Sequence, residues 1–176
     1  MKFAITGHTQ GLGAAIVNRL SYGHSIVGFS KSTGYDISNA ADRKLIIEHS
    51  LDCHVFVNNA HAGYAQTELL YELWDTWKKQ DKLIVNIGSN TTDSIKPFPH
   101  KYVAEKIALE KASEQLANLN MPCKVSLYKF GWIGTERVLK NYNPDNYILV
   151  NDAAEIIIQT LLITHNYKLT NITILP

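Results

Sequence analysis

The apolar stretch Lys2-Phe3-Ala4-Ile5 runs directly into Thr6-Gly7-His8-Thr9-Gln10-Gly11-Leu12-Gly13, and helical periodicity follows. Three glycines spaced by four and then two, where a strand turns into a helix, let backbone N–H groups approach a diphosphate and aim the positive helix end at it. A tight turn that binds nothing also favours glycine, so the surroundings must decide. The helix expected over 12–21 places Ile16, Val17 and Leu20 on one face for packing against a sheet. No Lys-Ser or Lys-Thr closes the loop, which argues against a nucleoside-triphosphate P-loop. A dinucleotide is the first ligand to consider.

At 176 residues the chain suits one domain spanning 1–176, and 45% apolar against 19% charged residues describes a compact fold rather than disorder. A formal net charge of +1, with basic and acidic residues interspersed, leaves no case for a general nucleic-acid binder. Cys53 and Cys123 lack metal-ligand spacing, so no metal is expected, and they read as buried free thiols in a reducing compartment. No apolar run approaches membrane-spanning length, and Gly7 breaks what could otherwise resemble a signal-peptide core. A cytoplasmic protein is expected.

Short β-rich runs alternate with helical periodicity, the mark of a mostly parallel sheet covered on both faces: a Rossmann-like, doubly wound α/β fold in three layers. Strands are expected at 2–6, 25–30, 54–58, 82–87, 124–129 and 172–175, and helices at 12–21, 39–49, 67–79, 100–119 and 152–164. Ser38 or Asp36 could cap the second helix. One connection is irregular. Only Lys31-Ser32-Thr33-Gly34 separates the second strand from the strand-like Tyr35-Asp36-Ile37, too little for a parallel crossover, so the helix between strands 2 and 3 is missing. Either 35–37 is a short edge strand reached by a bare loop, or it does not join the sheet.

Chemistry-bearing residues gather at the strand ends. Asn58-Asn59-Ala60 ends a strand at the same edge as the glycine turn, where amide side chains can tie neighbouring strands together. Ser89 brings a hydroxyl to that edge. Tyr102 and Lys106, four apart on a helix, share one face. An adjacent cation favours a phenolate and brings a phenol of pKa about 10 within reach of proton exchange. A solvated Tyr/Lys pair would have the same spacing, so the order of the other motifs carries weight.

Taken together, the glycine turn, Asn58-Asn59-Ala60, Ser89 thirteen residues before Tyr102, and Lys106 four after it resemble the short-chain dehydrogenase/reductase family. Gly131-Trp132-Ile133-Gly134-Thr135 looks like that family's segment after the sixth strand, with Phe130 where a proline is usual. The resemblance runs from Met1 to about Asp152 and less clearly to Pro176. It implies that Gly7, Thr9, Gln10, Gly11, Leu12 and Gly13 form the diphosphate turn. It also implies that Asp36 and Ile37 meet the adenine, that Asn58, Asn59 and Ala60 support the adenosine end, and that Ile133 and Thr135 lie near the carboxamide and diphosphate. Tyr102 would exchange the proton, Ser89 would hold the substrate oxygen, and Lys106 would contact the nicotinamide ribose and depress the phenol pKa. The implied reaction is hydride transfer between a nicotinamide cofactor and a small carbonyl or alcohol.

Ser30 and Lys31, with Ser32, stand where an acidic residue would select NAD, and two hydroxyls with a lysine suit a 2'-phosphate, so NADP(H) is expected over NAD(H). Several features depart from the family. The relay asparagine that many members carry has no counterpart between Thr67 and Lys79, and the segment after Thr135 offers only a small substrate lid. His61 replaces the glycine expected after Asn-Asn-Ala and, like His100, lies near the cleft. Tyr71, Trp74 and Trp77 suggest a subunit-pairing face and hence a homodimer. The competing reading is a non-catalytic NADP(H)-binding regulatory protein. A sugar-nucleotide epimerase would use the same Tyr/Lys pair, but in a longer chain.

Overall fold

The computed structural model describes residues 1–163 and 169–176. Its elements in chain order are β1 (Lys2–Thr6), α1 (Gly11–Leu20), β2 (Ser25–Phe29), α2 (Ala40–His49), β3 (Val55–Asn58), α3 (Ala65–Trp77), β4 (Leu83–Ser89), α4 (Lys101–Asn118), β5 (Lys124–Phe130), α5 (Glu136–Asn141), α6 (Val150–Ile163) and β6 (Asn171–Ile174). The expected end of the last helix at Thr164 lies outside the described residues.

The six strands form a parallel sheet in the order β2-β1-β3-β4-β5-β6. The chain moves outward from β1 to β2 and then returns to place β3 on the other side of β1. That reversal opens a crevice at the carboxyl ends of β1 and β3, where such sheets bind ligands. Because both faces are covered, the strands are apolar on both sides. Ile5, Val57, Val85 and Tyr128 pack with Leu12, Ile16, Ala153 and Ile157 on one face. Ala4, Phe56, Ile84 and Val125 pack with Ile46, Leu69, Leu73, Trp77 and Leu109 on the other. Each fully buried Leu or Ile side chain contributes about 2 kcal/mol, which fixes the strand ends that carry the site.

The irregular connection resolves to the second of its two alternatives. Residues 31–33 form a single 3₁₀ turn and residues 35–37 pair with no strand. The helix expected to be missing between strands 2 and 3 is present as α2, because 35–37 is not itself a strand and the crossover runs on through 40–49 to β3. The cap of α2 is Asn39, whose side chain accepts from the Ala41 amide at 2.9 Å, and not Ser38 or Asp36. Asp36 instead accepts from the Ser38 amide and hydroxyl at 3.0 and 2.7 Å. The loop is held from behind by buried Arg43, which donates to the Ile37 carbonyl at 3.0 Å and forks onto Glu72 of α3. Trp77, expected on a pairing face, is fully buried with its ring edge-on to Phe56, so its area belongs to the core. Tyr71 remains 43% exposed and donates to Gln115 of α4. Cys53 and Cys123 are buried free thiols, and burial pushes Cys123 up to about 12. Among the described residues, no helix is long and apolar enough to cross a membrane.

Candidate active site

Gly7 leaves β1 in the left-handed region (φ +68), and a Cβ on Gly13 would sit 2.1 Å from the Gly7 carbonyl oxygen. The turn therefore closes on itself with no room for a side chain. Gln10 gives α1 no side-chain cap, and Thr9 and Gln10 are exposed, so the first-turn N–H groups are available to an anion. Leu12 is spent on the core. The Thr135 methyl group approaches to 3.2 Å of where a Gly11 Cβ would lie, while the Thr135 hydroxyl caps α5 at the Val138 amide. The segment after β5 is thus brought over the glycine turn. Beside it, the Ile133 backbone bridges to Ile148. A diphosphate fits this cradle of backbone without side chains.

Next to the turn lies a cavity of about 220 Å³, lined among others by Gly7, Ser30, Lys31, Asp36, Ile37, Ala60 and His61. At its mouth the Ser30 hydroxyl bonds to Ser32 at 2.8 Å and receives Thr9 at 3.4 Å. Lys31 is not free at rest: its Nζ pairs with Asp36 at 2.7 Å. The bonds from Lys31 and Ser38 hold Asp36 down to about 2, so it is a carboxylate at any physiological pH. Asn59 ties its strand end to the glycine turn, donating to Thr6 and Gly7 carbonyls at 3.0 and 3.3 Å. The Asn58 side chain is fully buried and donates to Asn86 of β4 and to the Gln66 carbonyl, both at 2.9 Å, so it ties neighbouring strand ends together.

Ser89 ends β4 almost buried, its hydroxyl accepting from the Thr91 amide and hydroxyl at 3.3 and 3.0 Å. The 3₁₀ turn that follows it is anchored by buried Lys129 of β5, which pairs with Asp93 and with Glu110 of α4. Tyr102 and Lys106 lie one turn apart on α4, with the ammonium 5.7 Å from the phenol ring centroid. Lys106 is buried, donating to Gln66 Oε1 at 2.8 Å and the Ile87 carbonyl at 2.9 Å. Burial lowers it to about 7, against the pull of Glu105. The Tyr102 phenol is raised rather than depressed. Burial is the main cause, while the neighbouring Ser89 hydroxyl and the Arg137 charge pull it down. The expected lowering by Lys106 does not appear, because burial outweighs the groups that pull the phenol down.

Gln66 is the functional residue that sequence reasoning missed. It donates to the Asn58 and Ile87 carbonyls at 2.7 and 3.3 Å and presents Oε1 to Lys106, joining β3, β4 and α4. No asparagine was expected to serve between Thr67 and Lys79, but α3 begins at Ala65 and carries its buried amide at Gln66, one residue before that span. Also missed was α5, a six-residue helix too short to leave a periodic signal. Its neighbourhood supplies the aromatic pair Trp132–Tyr142, with ring centroids 5.1 Å apart.

No family model matches the sequence, and no curated protein is similar to it. Solved structures are similar over nearly the whole chain. The 3-alpha-hydroxysteroid dehydrogenase from Pseudomonas sp., complexed with NADH, has TM-score 0.81 and 16% identity over 99% of this chain and 95% of its own. A short-chain dehydrogenase from Burkholderia cenocepacia in complex with NADP has TM-score 0.81 and 18% identity over 98% and 86%. The 3-ketoacyl-(acyl-carrier-protein) reductase from Brucella melitensis, complexed with NADH, has TM-score 0.81 and 17% identity over 99% and 96%. The chain therefore has the Rossmann-like α/β fold of the short-chain dehydrogenases.

Proposed function

We propose that this chain is a member of the short-chain dehydrogenase/reductase family, a nicotinamide-dependent oxidoreductase that interconverts a small carbonyl compound and its alcohol. The observation that carries this reading is the meeting of Ser89, Tyr102 and Lys106 at the carboxyl edge of the sheet, beside the glycine turn. The turn at Gly7, Gly11 and Gly13 would hold the diphosphate, and the cavity between Ser30 and Ala60 the adenosine. The cofactor, when bound, supplies or accepts the hydride. Ser89 then fixes the substrate oxygen by hydrogen bond, and Tyr102 gives its hydroxyl proton to that oxygen during reduction or takes one during oxidation. Lys106, held by Gln66 and Ile87, orients the ribose and stabilises the phenolate once Tyr102 has lost its proton.

NADP(H) is proposed over NAD(H) because Thr9, Ser30 and Ser32 present hydroxyls where a 2'-phosphate would lie and the exposed Lys31 can leave Asp36 to meet it. NADH and NADP both occur among the structural neighbours, so the preference rests on these residues alone. A cytoplasmic homodimer, paired through the outer faces of α3 and α4 where Tyr71 and Ile107 are exposed, completes the proposal.

Tyr102→Phe tests the reaction. In a carbonyl panel followed by NADPH absorbance, the wild type turns over and the variant loses at least about 100-fold in kcat while keeping its cofactor affinity. Cofactor binding with no turnover in the wild type would instead establish the binding-protein reading.

A further inference from the structure

His61 stands where the nucleotide cavity meets the catalytic tyrosine. It lines that cavity, its ring meets Tyr102 edge-on with centroids 4.9 Å apart, and its Nε2 lies 3.0 Å from Glu105 Oε2. The imidazole is 32% exposed and the carboxylate only 6%, so a solvent-reachable ring is held by a buried anion. Such an anion accepts the Nε2 proton and fixes the tautomer, leaving Nδ1 to take up or release a proton. Among the described residues Nδ1 makes no hydrogen bond. Lys106 offers no equivalent route inward. Its ammonium is buried against an amide oxygen and a backbone carbonyl, and neither partner carries a proton it can exchange.

We propose that His61, positioned by Glu105, carries the proton between the Tyr102 hydroxyl and solvent. This rests on the carbonyl–alcohol reading above. In reduction, the Tyr102 hydroxyl proton goes to the substrate oxygen as the nicotinamide hydride goes to the carbonyl carbon. The phenolate then takes a proton from the His61 imidazolium Nδ1 through one bridging water, and the neutral ring regains one from solvent. Oxidation runs the same transfers in reverse.

The charges around the ring set the pH at which this works. Burial lowers the His61 pKa, with the charges of Lys106 and Arg137 acting in the same direction, and Glu105 raises it. Lys101 lies 3.7 Å from the other Glu105 oxygen, and across the cavity Lys31 and Asp36 are paired with each other. The His100 ring is also near Tyr102, with centroids 6.2 Å apart, and has no carboxylate partner among the described residues.

His61→Phe keeps an aromatic ring against Tyr102 but cannot carry a proton, so it separates transfer from packing. With a diketone probe and NADPH, kcat in His61→Phe is expected to fall by about 100-fold. One limb of the pH–rate profile, placed below the ordinary histidine range, should vanish. Glu105→Gln should move that limb to lower pH. Imidazole added to His61→Gly should restore turnover, and His100→Phe should leave the profile unchanged. A measurement without turnover checks the pair itself: the His61 ring titration, followed by NMR, should shift down in Glu105→Gln. Full activity and an unchanged profile in His61→Phe, while Tyr102→Phe is inactive, would overturn this inference alone. An NMR titration indifferent to Glu105→Gln would overturn it too. Wild type without any Tyr102-dependent turnover would remove the underlying reaction and this step with it.

Discussion

The two ends of the crevice are built by opposite strategies. Around Lys106 buried polar contacts join different elements: Asn58 to Asn86 across 28 residues and Lys106 to Gln66 across 40. Around Ser30 most contacts are short-range and reach the surface, with Ser30 bonded to Ser32 and Asp36 to Ser38, two residues apart in each case, and Thr9 of the glycine turn reaching in to Ser30. A buried network in low dielectric loses much when one member goes, whereas exposed hydroxyls exchange partners with water at little cost. The chemical end is therefore expected to be intolerant of change and the adenosine end adjustable.

A substitution at the joint between the two ends gives the largest effect and tests whether they are independent at all. Gly13→Ala puts a methyl group into the Gly7 carbonyl, which is backbone and cannot step aside. The expected result is a loss of about 3 kcal/mol in urea-unfolding stability together with loss of dinucleotide binding by calorimetry. A stable variant with normal affinity would show that the turn can open.

Gln66→Ala addresses the buried end alone. It leaves Lys106 with one acceptor and orphans the Asn58 carbonyl, at an expected cost of about 3 kcal/mol in the same denaturation assay. Gln66→Asn, shorter by one methylene, should recover only part of that. An Ala variant as stable as wild type would erase the contrast between the ends.

Lys106 sharpens it through pH. Its folded pKa of about 7 lies below the unfolded value of 10.5, so the unfolded chain binds more protons between those limits. Below about pH 7 both states are protonated and the cost of the buried ammonium is fully present. Stability should then rise with pH from about 7 towards 10.5, and Lys106→Met should lack that rise. Equal slopes in thermal melts across this window would show that the ammonium is not desolvated.

This contrast also explains what could be read in the sequence. All six strands and five of the helices were legible, because apolar runs and 3.6-residue periodicity are local signals. Tyr102 and Lys106 were legible as a pair because helix geometry fixes residues four apart. Gln66, Glu105 and Lys129 were not, since each acquires its role from a partner on another element: Gln66 from Lys106, Glu105 from His61 and Lys129 from Asp93 and Glu110. Asn58 was legible as an amide that ties strands, but its partners Asn86 and Gln66 were not, since both lie on other elements. The Lys31–Asp36 pair was hidden for another reason: five residues apart in a loop, they meet only through the 3₁₀ turn at 31–33.

The smallest expected effect falls on that pair. Lys31 is 81% exposed, so its ion pair with Asp36 exchanges readily and contributes little to stability. If a 2'-phosphate draws Lys31 away from Asp36, Lys31→Ala should weaken NADPH binding a few-fold and leave NADH unchanged, and the NADPH difference should shrink in high salt. Asp36→Asn should act in the opposite direction, freeing Lys31 and removing a carboxylate that stays charged down to about pH 2, and so tightening NADPH. Fluorescence titrations of both cofactors against both variants separate the possibilities. Equal losses for NADPH and NADH in Lys31→Ala would assign the lysine to the loop's own structure and leave the hydroxyls of Thr9, Ser30 and Ser32 as the only groups distinguishing the two cofactors.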